Sequence, residues 1–199
     1  DIDIVLLKNI IIMKKIIISI ICITCISTIS IAQEKLNINI NNSSIKWIGE
    51  YVFSFSGHQG NINFKEGYFI KTKDVITGGE FIIDMNSLTN TDIKTKKANN
   101  SLVNHLKDPD FFDVKKFPIA KLMIVEFEYF DNNQVRIHAN LTIKGITHLI
   151  KFNADLNYAK KSLTTKFKIN RKKWNVNYKS KMKDSPISDA IGFEITLKL

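Results

Sequence analysis

From Ile45 to the C-terminus, hydrophobic and polar residues alternate with a period of two along most of the chain. In Phe81-Ile82-Ile83-Asp84-Met85 one parity holds Phe81, Ile83 and Met85. Val135, Ile137, Ala139, Leu141 and Ile143 alternate with Arg136, His138, Asn140, Thr142 and Lys144. Near the end, Ile191, Phe193, Ile195 and Leu197 alternate with Gly192, Glu194, Thr196 and Lys198. Such alternation makes strands with one dry and one wet face. Gly78-Gly79 and Asn132-Asn133 read as turns between antiparallel neighbours. The pattern predicts about eight strands, near 45–57, 61–71, 75–86, 119–131, 134–145, 148–158, 162–171 and 187–199. The stretch 172–181 either extends the seventh or forms a further short strand.

One segment departs from this period. Ala98, Leu102 and Leu106 lie four apart with Val103 beside them, so the spacing predicts a helix over about 91–107. Thr91 or Asp92 is the expected cap. Asp108-Pro109 is the expected stop, because the residue before proline avoids the helical region. The helix then runs into the aromatic loop Asp110-Phe111-Phe112-Asp113. The layout is all-β and antiparallel, with one inserted helix and no internal repeat. Eight strands close into a barrel whose interior takes side chains or one ligand. A membrane-spanning barrel would turn its apolar parity outward. Here the opposite parity carries lysine, asparagine, arginine and threonine, which a bilayer rejects.

The N-terminal region has a different character. Met13-Lys14-Lys15, an apolar run from Ile16 to Ile31 and small residues at Ser30 and Ala32 form the pattern of a secretory signal, with cleavage expected after Ala32. A transmembrane anchor needs about 20 apolar residues, more than this run supplies. Residues 1–12 read as an upstream extension with no structural role, 13–32 as the signal, and 33–199 as a single barrel domain. Cys22 and Cys25 both lie inside the signal, so a redox or metal pair is not expected of them and the remaining 167 residues contain no cysteine. A periplasmic or secreted protein without disulfides rests on its core alone.

The formal charge of +10 invites a nucleic-acid reading. Lys8, Lys14 and Lys15 against Asp1 and Asp3 take one unit of it, leaving +9 for residues 33–199. These lysines are scattered through an Ile-, Lys- and Asn-rich sequence, and nucleic acid is not an expected partner. Attraction to anionic lipid headgroups is the second reading of the charge.

Catalytic signatures are missing: there is no Gly-x-Ser-x-Gly elbow and no glycine-rich phosphate loop. Asp84 and Asp113 are conceivable acid and base, but no spacing brings them together. Among the four histidines, His58 stands in a Gly-His-Gln-Gly turn and is a candidate for a ligand's polar end. His105, in the last helical turn, is expected to anchor the aromatic loop. His138, on a polar parity, and His148, after a turn, are expected at the surface. No catalytic residue, metal or cofactor is expected.

Several motifs in order complete the reading. They are Phe53-x-Phe55-x-Gly57-His58-x-Gly60, His105-Leu106-Lys107-Asp108-Pro109-Asp110-Phe111-Phe112-Asp113 with Phe117-Pro118-x-Ala120, Leu141-Thr142-Ile143-Lys144-Gly145, and Ile169-Asn170-Arg171-x-x-Trp174. Together they resemble the YceI-like family of lipid- and polyisoprenoid-binding proteins, over about 44–199. The resemblance implies an extended, eight-stranded lipocalin-like barrel with an apolar tunnel for a polyisoprenoid, isoprenoid quinone or similar amphiphile, in the bacterial periplasm or outside the cell. It departs from the family at Asn175, where a glycine is usual, and keeps an aspartate at Asp189. The expected tail-binding residues are Phe53, Phe55, Phe81, Ile83, Met85, Leu141, Ile143, Phe152, Phe167, Ile169 and Trp174. Phe111 and Phe112 belong to an expected lid, and His58 or Arg171 meets the polar end. The expected partner is the lipid, with a membrane surface and a second copy of the chain as further candidates. Two alternatives stay open: an isoprenoid-modifying enzyme, and a filled barrel that serves as a stress-related interaction module.

Overall fold

The computed structural model describes Lys8 and residues 12–14, 32–52, 57–178 and 187–199. The chain divides into two compact units, Asp1–Ala32 and Gln33–Leu199. Nearly all of the signal-like segment lies outside the described residues. Among the described residues no helix is long and apolar enough to cross a membrane.

Gln33–Leu199 is built from nine strands: β1 (Gln33–Asn37), β2 (Ser44–Tyr51), β3 (Gly57–Thr72), β4 (Val75–Asp84), β5 (Ile119–Tyr129), β6 (Gln134–Ile143), β7 (Ile146–Asn157), β8 (Ser162–Asn170) and β9 (Ile187–Lys198). A helix, α1 (Lys96–Lys107), stands between β4 and β5. All neighbours are antiparallel, in the order β2-β9-β8-β7-β6-β5-β4-β3, and β3 pairs back onto β2. The result is a closed eight-stranded, lipocalin-like barrel. β1 adds no ninth position. It pairs with Tyr68–Thr72 on the same edge of β3 whose first half pairs with β2, so β1 and β2 share one place in the wall.

The period-two pattern locates these strands because each buries one parity. Phe81 and Ile83, Val135 through Ile143, and Ile191 and Leu197 all belong to one core cluster. Bulges adjust the parity where the barrel bends, as at Val125, where Ile124 pairs with Ala139 and Glu126 pairs with His138.

Asn132 and Asn133 have φ of 61° and 60° and form the tight turn between β5 and β6. Gly78-Gly79 is not a turn. Both glycines lie inside β4, and the β3–β4 turn falls at Lys73-Asp74. A Cβ on Gly79 would lie 2.8 Å from the Tyr68 carbonyl, so close strand approach rather than chain reversal accounts for the residue.

The helix is shorter than its spacing predicts. Residues 91–95 are irregular, and Thr95 stands at the N-cap without a side-chain hydrogen bond. Thr91 and Asp92 do not cap α1, because both are drawn onto the start of β3: the Thr91 amide and hydroxyl donate to the Gln59 carbonyl. Asp108 ends the helix, as Pro109 requires.

Residues 171–174 form a 3-10 turn rather than a strand extension, and 179–186 lie outside the described residues. Asn175 follows that turn at φ 54°, ψ 30°, and its amide donates to the Lys172 carbonyl. Asparagine tolerates this left-handed conformation better than most residues, so it serves where the resemblance led to an expectation of glycine.

Candidate functional site: an apolar cavity with one polar end

The inward parities do not fill the barrel. They leave a cavity of about 180 Å³ for the centres of water-sized groups. That is far more than a single ordered water requires.

The lining is almost wholly apolar. Toward the middle stand Ile62, Phe64, Phe69, Phe81, Leu122, Ile124, Ile137, Leu141, Phe152, Phe167, Phe193 and Ile195. Phe81 packs edge-on against Phe69 with ring centres 5.1 Å apart, and Phe152 stacks on Phe167 at 4.3 Å. Leu102 and Leu106 of α1, with Phe111 and Phe112 after it, line one end. Phe111 is held from behind by Tyr178, stacked at 4.9 Å, and by the edge of His105 at 5.1 Å.

Most of the polar groups gather at one place in the register, Thr165 standing further along the wall. Tyr51, His58, Arg171 and Ser188 all line the cavity. Tyr51 pairs with Ile187, Gly49 with His58, and Asn170 with Ala190, which brings these strand ends together.

His58 is oriented rather than free. Its Nδ1 lies 2.8 Å from the Asp92 carboxylate and its Nε2 lies 3.4 Å from the Tyr51 hydroxyl. A carboxylate accepts only, so Nδ1 carries the proton. Asp92 also accepts from the Gln59 amide at 2.9 Å and from the Asn90 side-chain amide. Burial raises the pKa of Asp92, but the bonds from Gln59, His58 and Asn90 outweigh it, and the net shift is downward.

Gly60 makes this docking possible. A Cβ there would lie 1.8 Å from the Thr89 carbonyl, which accepts from Trp47 Nε1 at 2.9 Å.

Arg171 is 3 % exposed. Its guanidinium donates to the Ser188 carbonyl at 3.0 Å and to the Val176 carbonyl. Asp189 stands 3.6 Å from Nη2 but lies closer to Lys172, at 2.7 Å. Burial lowers the pKa of Arg171 and Asp189 raises it. The guanidinium stays charged throughout.

Of the residues expected to contact a ligand, His58, Phe81, Ile83, Met85, Phe111, Phe112, Leu141, Ile143, Phe152, Phe167 and Arg171 line the cavity. Phe53 and Phe55 lie outside the described residues. Ile169 and Trp174, also expected to contact the tail, are not among the lining residues. Both are buried, but Trp174 packs against β6 and β7: its Nε1 donates to the Leu141 carbonyl at 3.0 Å and His148 packs edge-on at 5.1 Å. Ile169 is paired to Ile191 and covered within the core.

Sequence reasoning missed Trp47, Phe69 and Phe193 as lining residues, although the parity of Phe193 was readable, and Asp92, whose role appears only when residues 89–92 dock on β3. His138 is not solvated. It is 8 % exposed, because the bulge at Val125 sets Glu126 and Glu128 against it, each 2.8 Å from a ring nitrogen. His148 is half-buried and holds the Lys173 carbonyl at 3.0 Å. Among the described residues, potential metal donors converge at His105, Asp108 and Asp110 and at Glu126, Glu128 and His138, and none of these six lines the cavity.

The Asp92 shift has a measurable consequence. A carboxylate whose pKa is lower folded than unfolded stabilises the fold above its unfolded pKa and loses that contribution as the pH falls through the folded value. Asp92→Asn is therefore expected to melt below the parent at neutral pH, with the gap closing under acid conditions. Thermal melts between pH 7 and pH 3 measure this. A gap independent of pH would mean that the charge on Asp92 contributes nothing.

A closed, lipocalin-like barrel enclosing an apolar cavity with a polar end is an architecture with room for a small apolar ligand. The family model for the YceI-like domain matches residues 30–199, and the chain belongs to that family, whose barrel is a lipid- and polyisoprenoid-binding fold. Among solved structures, BcnA of Burkholderia cenocepacia matches with a TM-score of 0.65 at 18% identity, covering 80% of this chain and 98% of that one. The Campylobacter jejuni YceI protein matches with a TM-score of 0.49 at 21% identity, covering 69% and 84%. No curated protein matches in sequence.

Proposed function

We propose that this protein binds and carries a long apolar lipid, an isoprenoid or a similar amphiphile, without chemical change, as an exported protein of the periplasm or the cell exterior. The signal-like pattern of residues 13–32 supports export. The single observation that carries the binding reading is the lining itself: an apolar interior with His58, Tyr51 and Arg171 at one end. Each methylene buried there is worth about 0.8 kcal/mol. About a dozen buried carbons contribute on the order of 10 kcal/mol against the costs of association and of ordering the chain. The polar end then selects the headgroup, while the loop from Phe111 to Phe117 acts as the lid.

Titration with a polyene fatty acid, whose fluorescence rises in an apolar site, tests the reading. The expected result is saturable binding of one molecule per barrel. His58→Ala is expected to weaken it severalfold in a folded protein, and unchanged affinity would remove His58 from the headgroup role. The His58–Asp92 pair is what the enzyme alternative would rest on. Mass analysis of the recovered lipid separates the two, because a carrier returns the lipid unaltered.

A further inference from the structure

The barrel wall is incompletely paired along one seam. β7 and β8 form a ladder only from Ala154–Thr165 to Asn157–Ser162. Beyond that point Ile146–Asn153 of β7 and Lys166–Asn170 of β8 have no partner across the seam, although both stay paired on their other sides. The Thr165 hydroxyl donates to the Asn153 carbonyl at 2.6 Å where the ladder stops.

Continuing the register would set Lys151 opposite Lys168. Like charges directly opposite on neighbouring strands are destabilising, which gives the seam a physical reason to part. On the inner side it is closed by the stacked rings of Phe152 and Phe167, and both line the cavity. At one end the 3-10 turn folds across it, tied by Trp174 to the Leu141 carbonyl and by His148 to the Lys173 carbonyl.

The outside of this seam is basic. Ile146–Asn153 and Lys166–Lys173 present five exposed lysines, at 151, 166, 168, 172 and 173, and contain no acidic residue. Lys166, Lys168 and Lys172 are partly neutralised by Glu194, Glu50 and Asp189, which leaves Lys151 and Lys173 outside any ion pair among the described residues. Three other glutamates of the wall, Glu80, Glu126 and Glu128, stand away from the seam on β4 and β5. Leu149, 56 % exposed, adds an apolar side chain on β7 beside the lysines.

We infer that the β7–β8 seam is a lateral portal that docks on an anionic phospholipid bilayer, so that a lipid tail enters between Phe152 and Phe167 rather than through the end of the barrel. The inference rests on the lipid-carrier reading for its tail and on the lysines for its docking. A lysine at an anionic surface is attracted within a Debye length, and a row of them beside an unpaired strand edge sets the seam against the headgroups.

Co-sedimentation of the full chain with vesicles of phosphatidylcholine alone, and with phosphatidylglycerol added, tests the docking. The protein is expected to partition onto the anionic vesicles only. Lys151→Glu with Lys173→Glu is expected to reduce that partition about tenfold or more. Lys94→Glu with Lys97→Glu, the same charge change made at the exposed start of α1, is expected to leave most of it. Equal loss in both double variants would reduce the effect to net charge and overturn the portal. So would equal binding to neutral vesicles. A second measurement follows transfer of a fluorescent fatty acid from anionic vesicles to the barrel. The seam variant is expected to slow transfer while binding the free fatty acid in solution with parental affinity, and unchanged transfer would overturn the portal. Vesicle binding is read without any tail ligand, so a failure of the carrier reading leaves the docking result intact.

Discussion

Leu122→Trp is expected to leave the barrel folded and to weaken lipid binding about a hundredfold. Leu122 pairs with Phe81 on one side and Leu141 on the other, and all three side chains face the cavity. A larger ring at this position extends into existing space, so it is spared much of the roughly 1–3 kcal/mol that overpacking a filled core costs. It takes the place of three or four methylenes of the tail, about 3 kcal/mol of burial. That is a loss on the order of a hundredfold in affinity. Titration with the polyene fatty acid measures it, with circular dichroism to establish that the barrel is intact. Parental affinity in the folded variant would mean that the tail lies elsewhere.

Trp174→Ala is expected to be the most destabilising single truncation outside the cavity. The side chain is 1 % exposed, and its indole N–H satisfies the Leu141 carbonyl on the far side of the seam. Removing it leaves a large void and an unpaired carbonyl, for a cost of about 3–5 kcal/mol. In a domain of this size that lowers the melting temperature by roughly 10 °C or more. Trp174→Phe keeps most of the volume and loses the hydrogen bond, at about 1–2 kcal/mol. Denaturant titration of both variants tests this. A loss under 1 kcal/mol in the alanine variant would show that the turn does not hold the seam together.

What could be read from the sequence was decided by how locally each feature is encoded. Strand parity is local, so Ile137, Leu141, Ile191 and Phe193 announced their common face before any coordinate was known. The asparagine turn at 132–133 was legible for the same reason. Gly78-Gly79 was misread because glycine serves both chain reversal and close packing, and only the neighbouring Tyr68 carbonyl distinguishes them. Thr91 and Asp92 looked like helix caps because capping is judged from the helix alone, whereas their partners lie 32 and 33 residues earlier, at Gln59. The buried state of His138 depended on a bulge one strand away. Trp174 and Ile169 were placed in the tunnel by parity and aromatic character, and neither reports which buried side chains border empty space. The β7–β8 seam depends on cross-strand register, which no single strand records.

Native mass spectrometry of the protein purified from the cells that produce it, followed by organic extraction, tests the carrier reading most directly. The expected result is one long-chain lipid per barrel, released unaltered on extraction and depleted in Leu122→Trp. A ligand-free mass that persists after incubation with a prenol, an isoprenoid quinone and a long-chain fatty acid would contradict it, and would leave a barrel whose cavity has another use.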